Sequence, residues 1–127
     1  MMKDVRKGTC HCGAVEFEVT LPQGLQDLVR CNCSLCKRKG TVMALVLRDN
    51  IKILHGENKL KLYQWNTMIA KHYFCGICGI YTHHQRRSAP TECGFNIACL
   101  EDVDPYAFKD LRIVDGASLS RVDDKAR

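Results

Sequence analysis

Nine cysteines in 127 residues constrain this chain more than any other feature. Cys10 and Cys12 stand in "CHCG", Cys31, Cys33 and Cys36 in "RCNCSLCKRKG", and Cys75 and Cys78 in "CGICG", with Cys93 and Cys99 apart. An odd number cannot pair completely within one chain, and a chain kept in a reducing cytosol does not depend on disulfides. Metal binding is therefore the expected use of the clusters. In "CGICG" the two intervening residues let both sulfurs reach one metal. Gly76 and Gly79 permit the tight turn that aims backbone N–H groups at sulfur. In "CHCG" the thiolates are two apart, so both lie on one side of an extended chain.

Spacing admits more than one pairing of these clusters. Cys33 and Cys36 with Cys75 and Cys78 would read as two C-x-x-C pairs, but that strands Cys31 and leaves Cys10 and Cys12 without partners. A closed structural zinc site from Cys10, Cys12, Cys75 and Cys78, beside a tripod from Cys31, Cys33 and Cys36, uses the seven economically. A zinc with three protein ligands keeps one position for water or substrate. Three thiolates on Zn²⁺ leave a net charge of about −1, which blunts the metal as a source of hydroxide. Such an ion suits an incoming thiol, held as thiolate at neutral pH. The run Lys37-Arg38-Lys39 would offset the negative charge. Lys37 and Arg38, with Arg86 and Arg87 of "HHQRRS", are candidate partners for the carboxylates of an anionic thiol.

The periodicity is mostly two, which argues for an all-β domain with short strands. In "AVEFEVTL" Val15, Phe17, Val19 and Leu21 alternate with polar residues, as in a strand with one buried face. Further strands are expected over 41–47, 51–54, 59–65, 70–74, 94–100 and 111–114, with His55-Gly56-Glu57-Asn58 as a turn. Phe95, Ile97 and Cys99 should share one face of the 94–100 segment, Cys99 as a small core residue. Helix is expected only as a turn starting at Ser34 and another over 104–110, where Asp104-Pro105 has the form of an N-cap and first helical residue. Adjacent strand residues point opposite ways, so at most one of His83 and His84 can face a site. His72 reads as an ordinary strand residue, and Trp65 and Tyr63 as packing or rim residues.

The length suits a single domain over 1–127, with a core of about 6–116 and a polar tail over 117–127. The net charge of +5 suits an anionic small molecule as well as nucleic acid. The basic residues are distributed along the chain, and aromatics make up only 7%, which argues against a nucleic-acid face. The N-terminal "MMKDVRKGTCHCG" has no apolar signal-peptide core and no segment approaches a membrane span, so a cytoplasmic location is expected.

"GTCHCGAVEF", "CNCSLCKRKG", "HYFCGICGIYTHH" and "GFNIACLEDVDP" together resemble the glutathione-dependent formaldehyde-activating enzyme family, also called S-hydroxymethylglutathione synthase, which centromere protein V also resembles. The likeness runs over roughly residues 6–116. It implies a β-tent fold of small antiparallel sheets organised around zinc. It also implies a structural zinc on Cys10, Cys12, Cys75 and Cys78 and a catalytic zinc on Cys31, Cys33 and Cys36. The implied reaction is that of a carbon–sulfur lyase, joining glutathione to formaldehyde in a detoxification step. Asn32 stands where many enzyme-like members carry histidine. The alternatives are a non-catalytic, zinc-stabilised binding module, with Cys93 or Cys99 closing the tripod, and another thiol-dependent aldehyde detoxification.

Overall fold

A computed structural model describes residues 4–65, 67–87 and 89–118, so most of the expected polar tail lies outside the described residues. The alternation at the N-terminus becomes β2 (Glu16–Leu21), with Val15, Phe17, Val19 and Leu21 all buried. It is the centre of a three-stranded antiparallel sheet, between β1 (Asp4–Thr9) and β5 (Ile51–His55). The sequence gives little sign of β1, because only Gly8 of that strand is buried. Gly8 lies opposite Phe17, and a Cβ there would come within 2.5 Å of the ring. This edge strand is thus held by its ladder and by what it lacks.

The second sheet has seven strands. They are β3 (Val29–Cys31), β4 (Met43–Leu47), β6 (Leu60–Tyr63), β7 (Lys71–Cys75), β8 (Tyr81–Gln85), β9 (Glu92–Asn96) and β10 (Arg112–Val114). Their spatial order is β10-β3-β4-β9-β8-β7-β6, antiparallel except for the parallel pair of β10 with β3. One apolar cluster joins the two sheets, with Phe17, Val19 and Leu21 packed among Val42, Ala44, Val46, Phe95, Ile97 and Leu100. Phe17 and Phe95 meet edge to face at 6.3 Å, a geometry worth about 1 kcal/mol beyond the area buried. The fold is mostly β, and the one α-helix among the described residues is α1 (Ser34–Lys39), which Gly40 ends at φ 64°.

The 94–100 segment differs from a single strand. The ladder stops at Asn96, whose side chain accepts from Ala98 N at 3.1 Å and starts a 3-10 turn over Ile97–Cys99. Cys93, Phe95, Ile97 and Cys99 are nonetheless all in the core cluster. Asp104 caps a 3-10 turn at Pro105–Ala107 by accepting from Tyr106 N at 3.0 Å. The turn after β5 is not a hairpin: it carries the chain from the small sheet to β6 at the edge of the large one. Gly56 makes that passage at φ 80°, and a Cβ there would collide with the backbone carbonyl of Ala14. Left-handed backbone alone costs a non-glycine residue about 1–2 kcal/mol. Gly56→Ala is therefore expected to lower stability by at least about 2 kcal/mol, read as a lower urea midpoint with an unchanged slope.

Candidate functional site

Two groups of cysteines are brought together. Cys10 follows β1 and Cys12 lies in the turn to β2, while Cys75 ends β7 and Cys78 lies in the turn to β8. All four sulfurs lie within 4.8 Å of one another. Cys12 Sγ is 3.7 Å from both Cys10 Sγ and Cys75 Sγ. That separation is far longer than a disulfide bond of about 2.05 Å. It matches the edge of a tetrahedron with metal–sulfur bonds of about 2.3 Å. Backbone N–H groups converge on these sulfurs, Val15 N on Cys10 Sγ at 3.3 Å, and Ile77 N and Cys78 N on Cys75 Sγ at 3.4 and 3.5 Å. The Cys78 N–H helps hold the Cys75 thiol below its ordinary value. This is the environment of a thiolate, and the group can hold a metal ion.

The second group is Cys31, Cys33 and Cys36, again within 4.8 Å. Cys31 ends β3, Cys33 is the N-cap of α1, and Cys36 is buried in the helix's first turn, donating its N–H to Cys33 Sγ at 3.3 Å. The three sulfurs share their protons unevenly. Hydrogen bonding from Cys31 and Cys36 holds Cys33 far below the thiol range, and the same contacts push Cys31 and Cys36 up. Three soft donors this close, one of them held as the thiolate, are a fitting seat for a cation that would take the place of the remaining protons. On one flank, Val114 of β10 lies opposite Cys31, and Gly116 follows so closely that a Cβ would stand 2.6 Å from Cys31 Sγ. Asn32 fastens this segment from outside. Its amide donates to Asp115 Oδ1 at 3.0 Å and accepts from Ala117 N at 2.9 Å.

The triplet opens on a pocket. Val29, Met43, Leu45 and Val114 form its apolar wall, Trp65, Thr67 and Ala70 border it, and His72, His84, Arg86 and Arg87 supply its polar side. Arg86 is ion-paired with Glu92 at 2.6 Å, whereas Arg87 has no ion pair among the described residues. Lys37 and Arg38 lie elsewhere. Both are exposed and border a separate surface groove with Tyr63 and Trp65, and Arg38 donates to Ser34 O at 2.8 Å. The helix explains the difference, since residues three apart share a face and those one or two apart do not. Lys39, three residues after buried Cys36, turns inward instead. Its Nζ sits 3.7 Å over the Tyr81 ring and 3.2 Å from His72 Nδ1.

His84 faces the triplet pocket, while His83 faces the other side, stacked on Tyr73 at 4.7 Å. His72 pairs with His84 across the β7–β8 ladder, its ring stacked at 5.3 Å, so a residue that read as ordinary belongs to the pocket. Cys93 and Cys99 lie in the apolar core and in neither cysteine group. Burial holds His83 down to about 4. Between pH 6.5 and about 4 the unfolded chain takes up a proton there that the folded chain refuses, so stability falls on acidification. This contribution, up to about 3 kcal/mol, should be missing from His83→Gln. Urea melts from pH 7 to pH 4 should therefore show a shallower pH slope for the variant than for the parent.

The comparisons with known proteins follow this geometry. The family model described as glutathione-dependent formaldehyde-activating enzyme matches residues 5–113. A Halomonas elongata protein, named as a candidate glutathione-dependent formaldehyde-activating enzyme, is 31% identical over an alignment covering 57% of this chain and 50% of the relative. The match thus spans about half the length of that relative. The crystal structure of a Rhodobacter sphaeroides protein is similar at a TM-score of 0.81 with 50% identity, covering 85% of this chain and 99% of that one. With the family model running from β1 to β10, through both cysteine groups, the chain belongs to the glutathione-dependent formaldehyde-activating enzyme family.

Proposed function

We propose that this protein captures a glutathione-like thiol at Cys31, Cys33 and Cys36 and adds it to formaldehyde or a related small aldehyde, as a carbon–sulfur lyase working in the direction of synthesis. One observation carries the reading: the three-cysteine group opens on a pocket with two arginines, while the four-cysteine group is complete in itself. Both groups have the donors that zinc prefers, with Cys10, Cys12, Cys75 and Cys78 in a structural role and Cys31, Cys33 and Cys36 at the reaction site. Zinc bound at the triplet supplies a position where a thiol is held as its thiolate at neutral pH.

The chain's own residues do the rest. Arg87, and Arg86 beside its Glu92 partner, are placed to take the carboxylates of the thiol by charge-assisted hydrogen bonds. Lys39 places a half-buried cation next to the three sulfurs and offsets their accumulated negative charge. Val29, Met43, Leu45 and Val114 keep water from one side of the sulfur. Holding thiol and aldehyde in one pocket turns a bimolecular encounter into an oriented one, and this supplies most of the gain. The inert-module alternative needs Cys93 or Cys99 to close the triplet, and the core position of both argues against it.

Two outcomes are expected. Metal analysis of the purified protein should find two zinc ions per chain, and Cys33→Ser should lose one of them. Adduct formation from glutathione and formaldehyde, followed by NMR, should outpace the spontaneous reaction and fall to the background rate in Cys33→Ser. In Arg87→Ala the half-saturating thiol concentration should rise about tenfold, with a smaller change in turnover. A wild-type protein that leaves the spontaneous rate unchanged would overturn the enzymatic reading.

A further inference from the structure

Two buried histidines face the triplet pocket, and each has the same nitrogen occupied from behind. Lys39 Nζ lies 3.2 Å from His72 Nδ1, and an ammonium can only donate. Tyr81 Oη lies 2.5 Å from His84 Nδ1, much nearer than its other acceptors, Gly94 O and Met43 Sδ, both at 3.4 Å. With Lys39 and Tyr81 as the donors, Nδ1 of each ring accepts and the ring proton sits on Nε2. Among the described residues neither Nε2 has a protein partner, and neither is a buried unpaired atom. Both rings line the pocket that holds Cys31, Cys33 and Cys36.

The surrounding chain is shaped around this pair. Tyr81 and His84 are three residues apart, so in a regular strand they would fall on opposite faces. The β7–β8 register slips between Tyr73 and Phe74, leaving Thr82 as an extra residue, and this bulge brings Tyr81 to the side of His84. Across the next ladder His84 lies opposite Gly94, where a Cβ would strike the imidazole. The His84 ring therefore lies on bare backbone, stacked against His72. Burial keeps His84 neutral, and burial with the charge of Lys39 does the same for His72. Each ring thus has a single N–H to offer, directed by its partner behind.

We infer that His72 and His84 form a paired donor site for the carbonyl oxygen of the aldehyde, and so are catalytic residues. The inference rests on the thiol-capture reading of the pocket. As the C–S bond forms, the thiolate sulfur attacks the carbonyl carbon and the C=O π pair moves onto oxygen. The two Nε2–H groups stabilise this alkoxide, and water then protonates it, balancing the proton the thiol released to solvent. Tyr81 and Lys39 act as positioning residues, fixing the tautomers. Neutral donors in a pocket closed to water on one side stabilise a developing oxyanion without giving up their protons.

The test pairs kinetics with a direct view of the tautomers. Nitrogen-15 NMR of the zinc-loaded protein should show His72 and His84 protonated at Nε2 and bare at Nδ1, and the opposite tautomer on either ring would overturn the proposal. His84→Leu should lose about 100-fold in the catalysed turnover while keeping both metals and its affinity for glutathione. His84→Gln, which restores an N–H donor, should recover most of that loss. His72→Leu and His72→Gln form a second pair should the first disturb folding. Full turnover in the leucine variants would sink the donor site alone. No acceleration by the wild type would sink thiol capture, and the donor site with it.

Discussion

Sulfur gathered at chain reversals is the constraint on which the rest of this structure depends. The four-cysteine group joins a turn of the small sheet to a turn of the large one. The apolar cluster around it is itself built partly from these cysteines: Cys10 and Cys75 with Val15, and Ala14, Leu60 and Cys78 packed against them. Four thiols in one place would be a weak substitute for a core unless their protons gave way to a cation. A metal ion held here would couple folding at this end of the domain to metal binding. The main core, from Phe17 to Phe95, fastens the sheets elsewhere without that dependence.

With the sheets fixed, β8 becomes the strand around which the triplet's pocket is organised. Tyr81 to His84 are all buried, an arrangement that simple alternation does not describe, because both faces of this strand are covered. His83 packs with Tyr73 on one side, while His84 joins His72 and the triplet on the other. The extra residue at Thr82 adds Tyr81 to the triplet's side. A one-residue irregularity thereby adds Tyr81, with Lys39 of α1 over its ring, to the two histidines that the regular ladder already pairs beside a cysteine site.

Much of this was legible in the sequence, and the exceptions have physical causes. The alternation from Val15 to Leu21 identifies a buried face because period two is the geometry of the strand itself. The cysteine spacings anticipate both groups because ligands on a shared turn must be close in sequence. The β1 strand escapes notice since its single buried residue has no side chain. The pocket role of His72 is equally hidden, as it depends on which residue of β8 lies opposite. In "KRK" the sequence places three cations beside the triplet without distinguishing them. Only the helical turn from Cys36 separates inward Lys39 from exposed Lys37 and Arg38.

Asn32 shows how a residue beside the cysteines can act on the pocket without lining it. It stands between Cys31 and Cys33, yet it is exposed and does not line the triplet's pocket. Its side-chain amide instead bridges Asp115 and the N–H of Ala117, drawing the segment after β10 across Cys31. That contact brings Gly116 to a separation from Cys31 Sγ that leaves no room for a side chain. A residue at position 32 that could not both donate and accept would loosen one wall of the pocket while leaving every sulfur in place. The residue at position 32 thus bears on the shape of the space beside the cysteines, and so on which molecule fits there. It does not bear on whether the cysteines can hold a metal.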